Sequence, residues 1–421
     1  MNLILTRNKK SVFITTNGCD RRSLDAARLE DFFKANNCAI ARTAQAADYI
    51  IFVTCSFRRG KEKQSLKKIS EFSRYKGKLI VAGCLADIAP NRLRQVFNGE
   101  IIETRNLEKI DEIFNEFKVK FRSIPDAHSF YMTKWRRFIE YFEFNKPFLM
   151  KNLLYMFRMT YVSRMLNKMP RVRINIKKCK ETGITKSAYL RVSCGCIERC
   201  AYCPIFRAVG ELKSKKMDEL LREYSGLLKQ GYRDFTLVAD NLGAYGLDCG
   251  STFEELLESL SQADKNFSAN WSLDQLHPRW VIKYKDVLLK YIAEGKITSI
   301  NCPIQSGSNR ILGLMKRHHS IEEITEIFKE FRKLQPGLYL SSHVIFGFPS
   351  ESEEDFVSSI NAVKIIRFND VELYPYYDGY DTIASKMNDK IPEETIRARL
   401  EKAVDSLQRD RIFWMCDEIL T

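Results

Sequence analysis

Nowhere in its 421 residues does the chain hold an uninterrupted apolar run long enough to cross a bilayer, which excludes a helical membrane span. It has only five His, too scattered for a zinc catalytic motif, and no phosphate-binding loop, so neither zinc hydrolysis nor P-loop chemistry has a place to occur. Low-complexity tracts and internal repeats are absent too. Residues Met1 to Lys10 are polar and basic and offer no secretory apolar region, so a reducing, cytoplasmic setting is expected. The twelve Cys are then thiols or metal ligands rather than disulfides.

What is present is a cysteine pattern. Cys196, Cys200 and Cys203 stand in Ser-Cys-Gly-Cys-Ile-Glu-Arg-Cys-Ala-Tyr-Cys-Pro, spaced CxxxCxxC. Zinc sites commonly use CxxC pairs a dozen or more residues apart, which this is not. Three thiolates can hold three irons of a cubane cluster and leave the fourth open for a small molecule, whereas four ligands close the cluster and suit it to electron transfer. Tyr202 precedes the last cysteine, as an aromatic does in radical S-adenosylmethionine enzymes, which this segment resembles.

Three further cysteines directly follow or end short apolar runs: Cys19 in Thr-Asn-Gly-Cys, Cys55 in Ile-Phe-Val-Thr-Cys-Ser-Phe-Arg, and Cys84 in Leu-Ile-Val-Ala-Gly-Cys-Leu-Ala. Such runs, separated by helical segments, read as strands of a parallel sheet, and residues past their carboxyl ends converge. Three cysteines far apart in sequence could then meet and bind a second cluster, although each taken singly reads more readily as a small buried core residue. Together they closely resemble the amino-terminal domain of the radical S-adenosylmethionine methylthiotransferases. Val238 to Asp248, Pro303 to Leu312 followed by Met315-Lys316-Arg317, and Phe346 to Phe356 resemble later motifs of that family, in its order. The chain departs from the family where His343 and Asp240 stand, which there are usually a polar group such as Asp and often Gln.

The resemblance implies an α/β chain: an N-terminal doubly wound parallel-sheet domain at 1–117, then a partial (β/α)6 radical barrel at 183–390. A basic, aromatic insert or linker at 118–182 separates them, and a C-terminal helix fills 391–421. Six candidate strands begin at Tyr189, Asp234, Trp271, Ile297, Tyr339 and Val371. Sites in such barrels gather at the carboxyl ends of strands, where the cysteine triad, Asp240, Asn241, His277, Gln305, Ser306, Gly307, Ser308 and Gly347 to Pro349 fall. The cofactors implied are two 4Fe-4S clusters, on Cys19/Cys55/Cys84 and on Cys196/Cys200/Cys203, and S-adenosyl-L-methionine. Tyr202, Gly210, Glu211, Asp240, Asn241, His277, Gln305 to Ser308, Arg317 and His343 are the candidates to hold the latter, Arg317 by pairing with a carboxylate. The activity implied makes a deoxyadenosyl radical at the barrel cluster and replaces an unactivated C–H by C–S-methyl with sulfur supplied at the other. Cys38, Cys179, Cys194, Cys249, Cys302 and Cys416 read as structural thiols.

Charge is uneven. Lys118 to Lys180 carries sixteen Lys and Arg against Asp126, Glu140 and Glu143, while the whole chain has a net charge of +15. The segment also holds twelve aromatics and reads as helical from Lys146 to Lys168. It is either a solvated face or a contact for an acidic peptide or protein, for RNA, or for a membrane surface. Members of the family that modify transfer RNA or a ribosomal protein commonly end in a small all-β domain, and no such run of strands follows Lys390 here; a helix Glu393 to Ile419 is expected instead. The reading from sequence therefore favours a peptide or protein substrate. Methylthiolation of a tRNA adenosine and sulfur insertion or crosslinking without methylation are the alternatives, and an electron donor such as flavodoxin or ferredoxin is expected in each.

Overall fold

Short β-branched runs build the first sheet, as Ser11–Thr16 (β1), Ala39–Ile40 (β2), Tyr49–Thr54 (β3), Lys78–Gly83 (β4) and Glu100–Ile102 (β5). The computed structural model describes residues 9–129, 186–265 and 268–415. All five strands are parallel, in the order β2-β1-β3-β4-β5. Both faces are covered, which is why the strands are apolar throughout rather than alternating. On one face Phe32 and Phe33 of the helix Asp20–Ala35 pack with Phe114, Phe117 and Phe121; on the other, Phe52, Phe72 and Leu85 cluster. This core runs past residue 117. Phe121 and Ile124 are buried in it, so the beginning of the segment assigned to the insert belongs to the N-terminal domain. The remainder of the basic segment, with Trp135 and the expected helix Lys146 to Lys168, lies outside the described residues.

The second sheet is also parallel. Its strands are Lys186–Arg191 (β6), Tyr232–Val238 (β9), Asn270–Leu273 (β10), Ile297–Asn301 (β11), Tyr339–Phe346 (β12), Asp370–Pro375 (β13) and Phe413–Met415 (β14), running in the order β14-β13-β12-β11-β10-β9-β6. Amphipathic crossover helices cover it. Ile321–Leu334 buries Ile324, Ile327, Phe328 and Phe331 at helical spacing, and the Ser320 hydroxyl accepts from the Glu323 amide at its start. Phe253–Ala263 and Glu353–Ile366 each open on a capping box. A two-stranded antiparallel ribbon, Ser193–Cys194 (β7) with Lys213–Ser214 (β8), brackets the contiguous cysteines and was not anticipated.

The C-terminal segment differs from expectation. Its helix spans Glu393–Arg409 and stops well short of Ile419, because Arg411 turns the chain at φ 58° and Ile412 is buried. Phe413-Trp414-Met415 then pairs parallel with β13, adding a seventh strand to the six read from the sequence. Among the described residues no helix is long and apolar enough to cross a membrane.

Candidate active site

The N-terminal strand order changes direction between β1 and β3, the switch point at which open α/β sheets bind ligands. Cys19 follows β1, Cys55 follows β3 and Cys84 follows β4, so the three dispersed cysteines stand behind three neighbouring strands. Local contacts hold them there. The Asn17 side chain accepts from the Cys55 amide at 2.9 Å and donates to the Ser65 hydroxyl, which in turn donates to the Cys55 carbonyl at 2.7 Å. Gly83, at φ 93°, turns the chain into Cys84, and a Cβ on it would come within 2.5 Å of the Thr54 carbonyl oxygen.

The contiguous triad sits across from it. Gly195, at φ 87°, receives the Asp240 carboxylate on its amide at 2.9 Å, and a Cβ there would clash with the Glu211 carbonyl. The loop is pinned onto the barrel by Ala201, whose amide donates to the Met315 carbonyl and whose carbonyl accepts from Ala384. Asn241 Nδ2 reaches Cys196 Sγ at 3.8 Å, and Arg317 Nη1 reaches Cys200 Sγ at 3.8 Å and Tyr202 Oη at 3.3 Å. Trp280 Nε1 fixes the Asn241 amide by donating to its oxygen at 2.8 Å.

All six cysteines line one cavity of about 420 Å³ between the two sheets. The helices Cys84–Ile88 and Ile205–Val209 close one side of it with an apolar contact that includes Ile88, Ala208 and Tyr380. Burial pushes the Cys84 and Cys196 thiols up to about 12, and raises those of Cys55 and Cys203 as well. Thiolate ligation there has to be coupled to metal binding and releases protons. Among the described residues no three His, Cys, Asp or Glu side chains converge on a point that would hold a single ion. The residues also fit a polar cofactor: His277 Nε2, Gln305 Oε1 and Arg317 Nε are buried without a hydrogen-bond partner, and all three residues line the cavity.

Protonation follows from burial. His277 is held far below its ordinary range by desolvation and then by Arg317, so its ring is neutral; Nδ1 accepts from the Arg279 amide, which leaves the proton on Nε2. His343, pushed down to about 3 by burial and by Arg21, Arg317 and Arg58, is neutral too and meets the Asn301 amide at 3.4 Å.

Of the expected S-adenosylmethionine contacts, Tyr202, Asp240, Asn241, His277, Gln305, Arg317 and His343 line the cavity. Ser306, Gly307 and Ser308 do not. Ser306 Oγ and the Gly307 amide engage Ser359 Oγ, and Ser308 caps the helix Asn309–Leu314 while bonding Asp355. They fasten β11 to the crossover helix behind it. Gly210 and Glu211 also lie off the cavity lining, Gly210 giving its carbonyl to the Cys196 amide. Arg317 meets Tyr202, Cys200 and the Pro303 carbonyl rather than a carboxylate.

Several residues at the cavity and in the contacts around it had not been singled out. Arg21 pairs with Asp240 at 3.0 Å and Asp274 at 3.2 Å, so the residue two past Cys19 is held by the ends of two barrel strands. Arg191 binds Asp25 at 2.8 Å and the Arg21 carbonyl at 3.0 Å, and Asp126 joins Arg28 to Lys215. On the opposite side Ser56 meets Tyr380 at 3.3 Å and Arg92 meets Tyr377. The run Asp20-Arg21-Arg22 directly after Cys19, and the Asp at 240, were the available signals.

Comparison with known proteins agrees with this geometry. Residues 190–363 match the model of the radical SAM superfamily, and residues 11–102 that of the uncharacterized protein family UPF0004. The chain is 26% identical over 401 residues to a tRNA-2-methylthio-N(6)-dimethylallyladenosine synthase of Fervidobacterium nodosum, covering 94% of this chain and 83% of that one. It is 26% identical over 381 residues to a Pyrococcus abyssi protein named "Probable threonylcarbamoyladenosine tRNA methylthiotransferase", covering 89% and 79%. A radical S-adenosylmethionine methyltransferase of Kitasatospora setae, solved with cobalamin and a 4Fe-4S cluster, shares the fold at a TM-score of 0.57 and 10% identity, over 89% of this chain and 77% of that one. Two cysteine triads lining one cavity, on a chain matched nearly throughout by methylthiotransferases, accord with an enzyme of the radical S-adenosylmethionine methylthiotransferase family, to which this chain belongs, with 4Fe-4S clusters and S-adenosylmethionine as its cofactors.

Proposed function

We propose that the enzyme replaces a C–H of a tRNA adenosine by C–S-methyl. The observation that carries the chemistry is the shared cavity, which the dispersed and contiguous triads line together. When bound, S-adenosylmethionine and the clusters supply the radical, the sulfur and the methyl group. The protein's part is to hold and orient. Cys196, Cys200 and Cys203 would carry the barrel cluster, with Asn241 and Arg317 donating to its sulfur ligands, which tunes the potential. Cys19, Cys55 and Cys84 would carry the other. His277 Nε2–H and Gln305 Oε1 are an unsatisfied donor and acceptor suited to the amino-acid or nucleoside part of S-adenosylmethionine.

The relatives, which are named for tRNA adenosines, support this substrate. This reverses the preference for a peptide, which rested on the lack of strands after Lys390 and on the basic segment alone. Reconstituted enzyme given reductant, S-adenosylmethionine and bulk tRNA should yield a methylthiolated nucleoside by mass spectrometry. A product carrying sulfur without a methyl group would favour the sulfur-insertion reading, and modification of peptides with no change in tRNA would defeat the proposal. A flavodoxin or ferredoxin remains the electron donor of this reading.

A further inference from the structure

We infer that the exposed face of the helix Arg59–Phe72 is an RNA-backbone track leading to the cavity mouth, an inference that rests on the tRNA reading above. From Arg58 to Lys78 there are nine Lys and Arg against two acids. The two acids leave the outer face net positive, although Glu71 also attracts Lys67, four residues before it. Glu62 is buried and taken by the Ser56 hydroxyl and Arg92, and Glu71 is occupied by Lys68 and Tyr75.

Arg59, Lys63 and Lys67 follow one another at i, i+4 and i+8, so they form one stripe at a pitch of about 6 Å along the axis. All three are exposed, and Lys63 and Lys67 have no ion-pair partner among the described residues. The face opposite is the one that packs, through Ser65, Ile69 and Phe72. A charge run on a helix is ordinarily a solvated face. Here it has a direction. Its N-terminal end is the loop after Cys55, where Arg58 and Lys61 line the cavity itself. At the same mouth Phe57, 39% exposed, stands edge-on to Tyr374 at 5.7 Å, with the Arg58 guanidinium 5.4 Å from the Tyr374 ring. Cations for phosphates that end in an aromatic pair beside a recessed cavity suit a single-stranded loop whose base is turned inward.

The test is binding, independent of turnover. Fluorescently labelled bulk tRNA is titrated against the full chain by anisotropy between 50 and 200 mM salt. The double variant K63E/K67E should weaken affinity about tenfold or more and lower the slope of log K against log salt by roughly one to two units, with K63Q/K67Q between. Thermal melts of each variant exclude misfolding as the cause, since both side chains are on the solvent face. If wild type modifies tRNA and K63E/K67E keeps wild-type affinity and salt slope, the track is wrong while the function stands. If wild type neither binds nor modifies tRNA but acts on a peptide, the tRNA reading fails and takes this inference with it.

Discussion

The two cysteine triads reach the same cavity by opposite routes. Cys196, Cys200 and Cys203 belong to one loop, framed by a two-stranded ribbon and fastened by Ala201. Cys19, Cys55 and Cys84 come from three adjacent strand ends and meet only because the sheet is built. A contiguous site depends on local loop geometry; a dispersed one depends on an entire domain and on its docking. The two should therefore fail separately.

The largest effect is expected from the ligands. Wild-type protein reconstituted without oxygen should hold about eight iron and eight sulfide. Cys196, Cys200 and Cys203 changed together to Ala should halve that and abolish deoxyadenosine formation. The same change at Cys19, Cys55 and Cys84 should also halve it, yet leave deoxyadenosine forming while no methylthio product appears. Iron analysis and chromatography of the nucleosides decide this, and a wild-type iron content fit for one cluster would refute the two-site account.

Next comes docking. Arg21 is 18% exposed and Asp240 5%, so Arg21→Met leaves two carboxylates without their cation and should destabilise the domain contact by about 3 kcal/mol. Displacing Cys19 by even an ångström should lower methylthio product per deoxyadenosine about a hundredfold, with Arg21→Lys partly restoring it. Unchanged coupling in Arg21→Met would show that the dispersed triad does not need the barrel to align it.

Glycine tests the local geometry of each triad. Gly83→Ala and Gly195→Ala each force a side chain at positive φ against a carbonyl, at a cost of about 1 to 3 kcal/mol. The first should deplete only the N-terminal cluster and the second only the barrel cluster, read by iron content combined with the cysteine variants above.

The smallest effect concerns pH. Asp126 is only 12% exposed, and although burial raises its pKa, Arg191, Lys215 and Arg28 outweigh this and hold it down to about 2. A lowered carboxylate pKa contributes stability above its unfolded value near 3.9 that is lost as pH falls toward 2. Urea melts of cluster-free protein should show Asp126→Asn less stable by about 2 kcal/mol at pH 7, the gap to wild type closing between pH 4 and 2. A gap that stays constant across that range would mean Asp126 acts through shape and not charge.

Much of this architecture was legible because strands, turns and caps are local. Tyr339–Phe346 and Ile321–Leu334 have the bounds that their apolar patterns indicate. The contiguous triad could be read outright, and the dispersed one through the rule that strand ends converge. Polarity after a strand was less informative: Ser308 looks like a ligand contact and is a helix cap, because the same hydroxyl suits both. Arg21 was overlooked since its partners, Asp240 and Asp274, are brought to it only by the docking of two domains. The strand Phe413–Met415 is three residues long, too short for a period to show.

The adjacency of β1, β3 and β4 also bears on metal selectivity. Parallel strands keep a spacing of about 4.8 Å, and Gly83 packed on Thr54 shows how little play the pair β3 and β4 has. Cys19, Cys55 and Cys84 stand just past those strand ends, so their spacing is inherited from the sheet, whereas a lone zinc ion demands thiolates closed around one centre at about 2.3 Å. Zinc should accordingly compete poorly with cluster assembly there, and stoichiometric, tight zinc binding by protein lacking the barrel cysteines would contradict it.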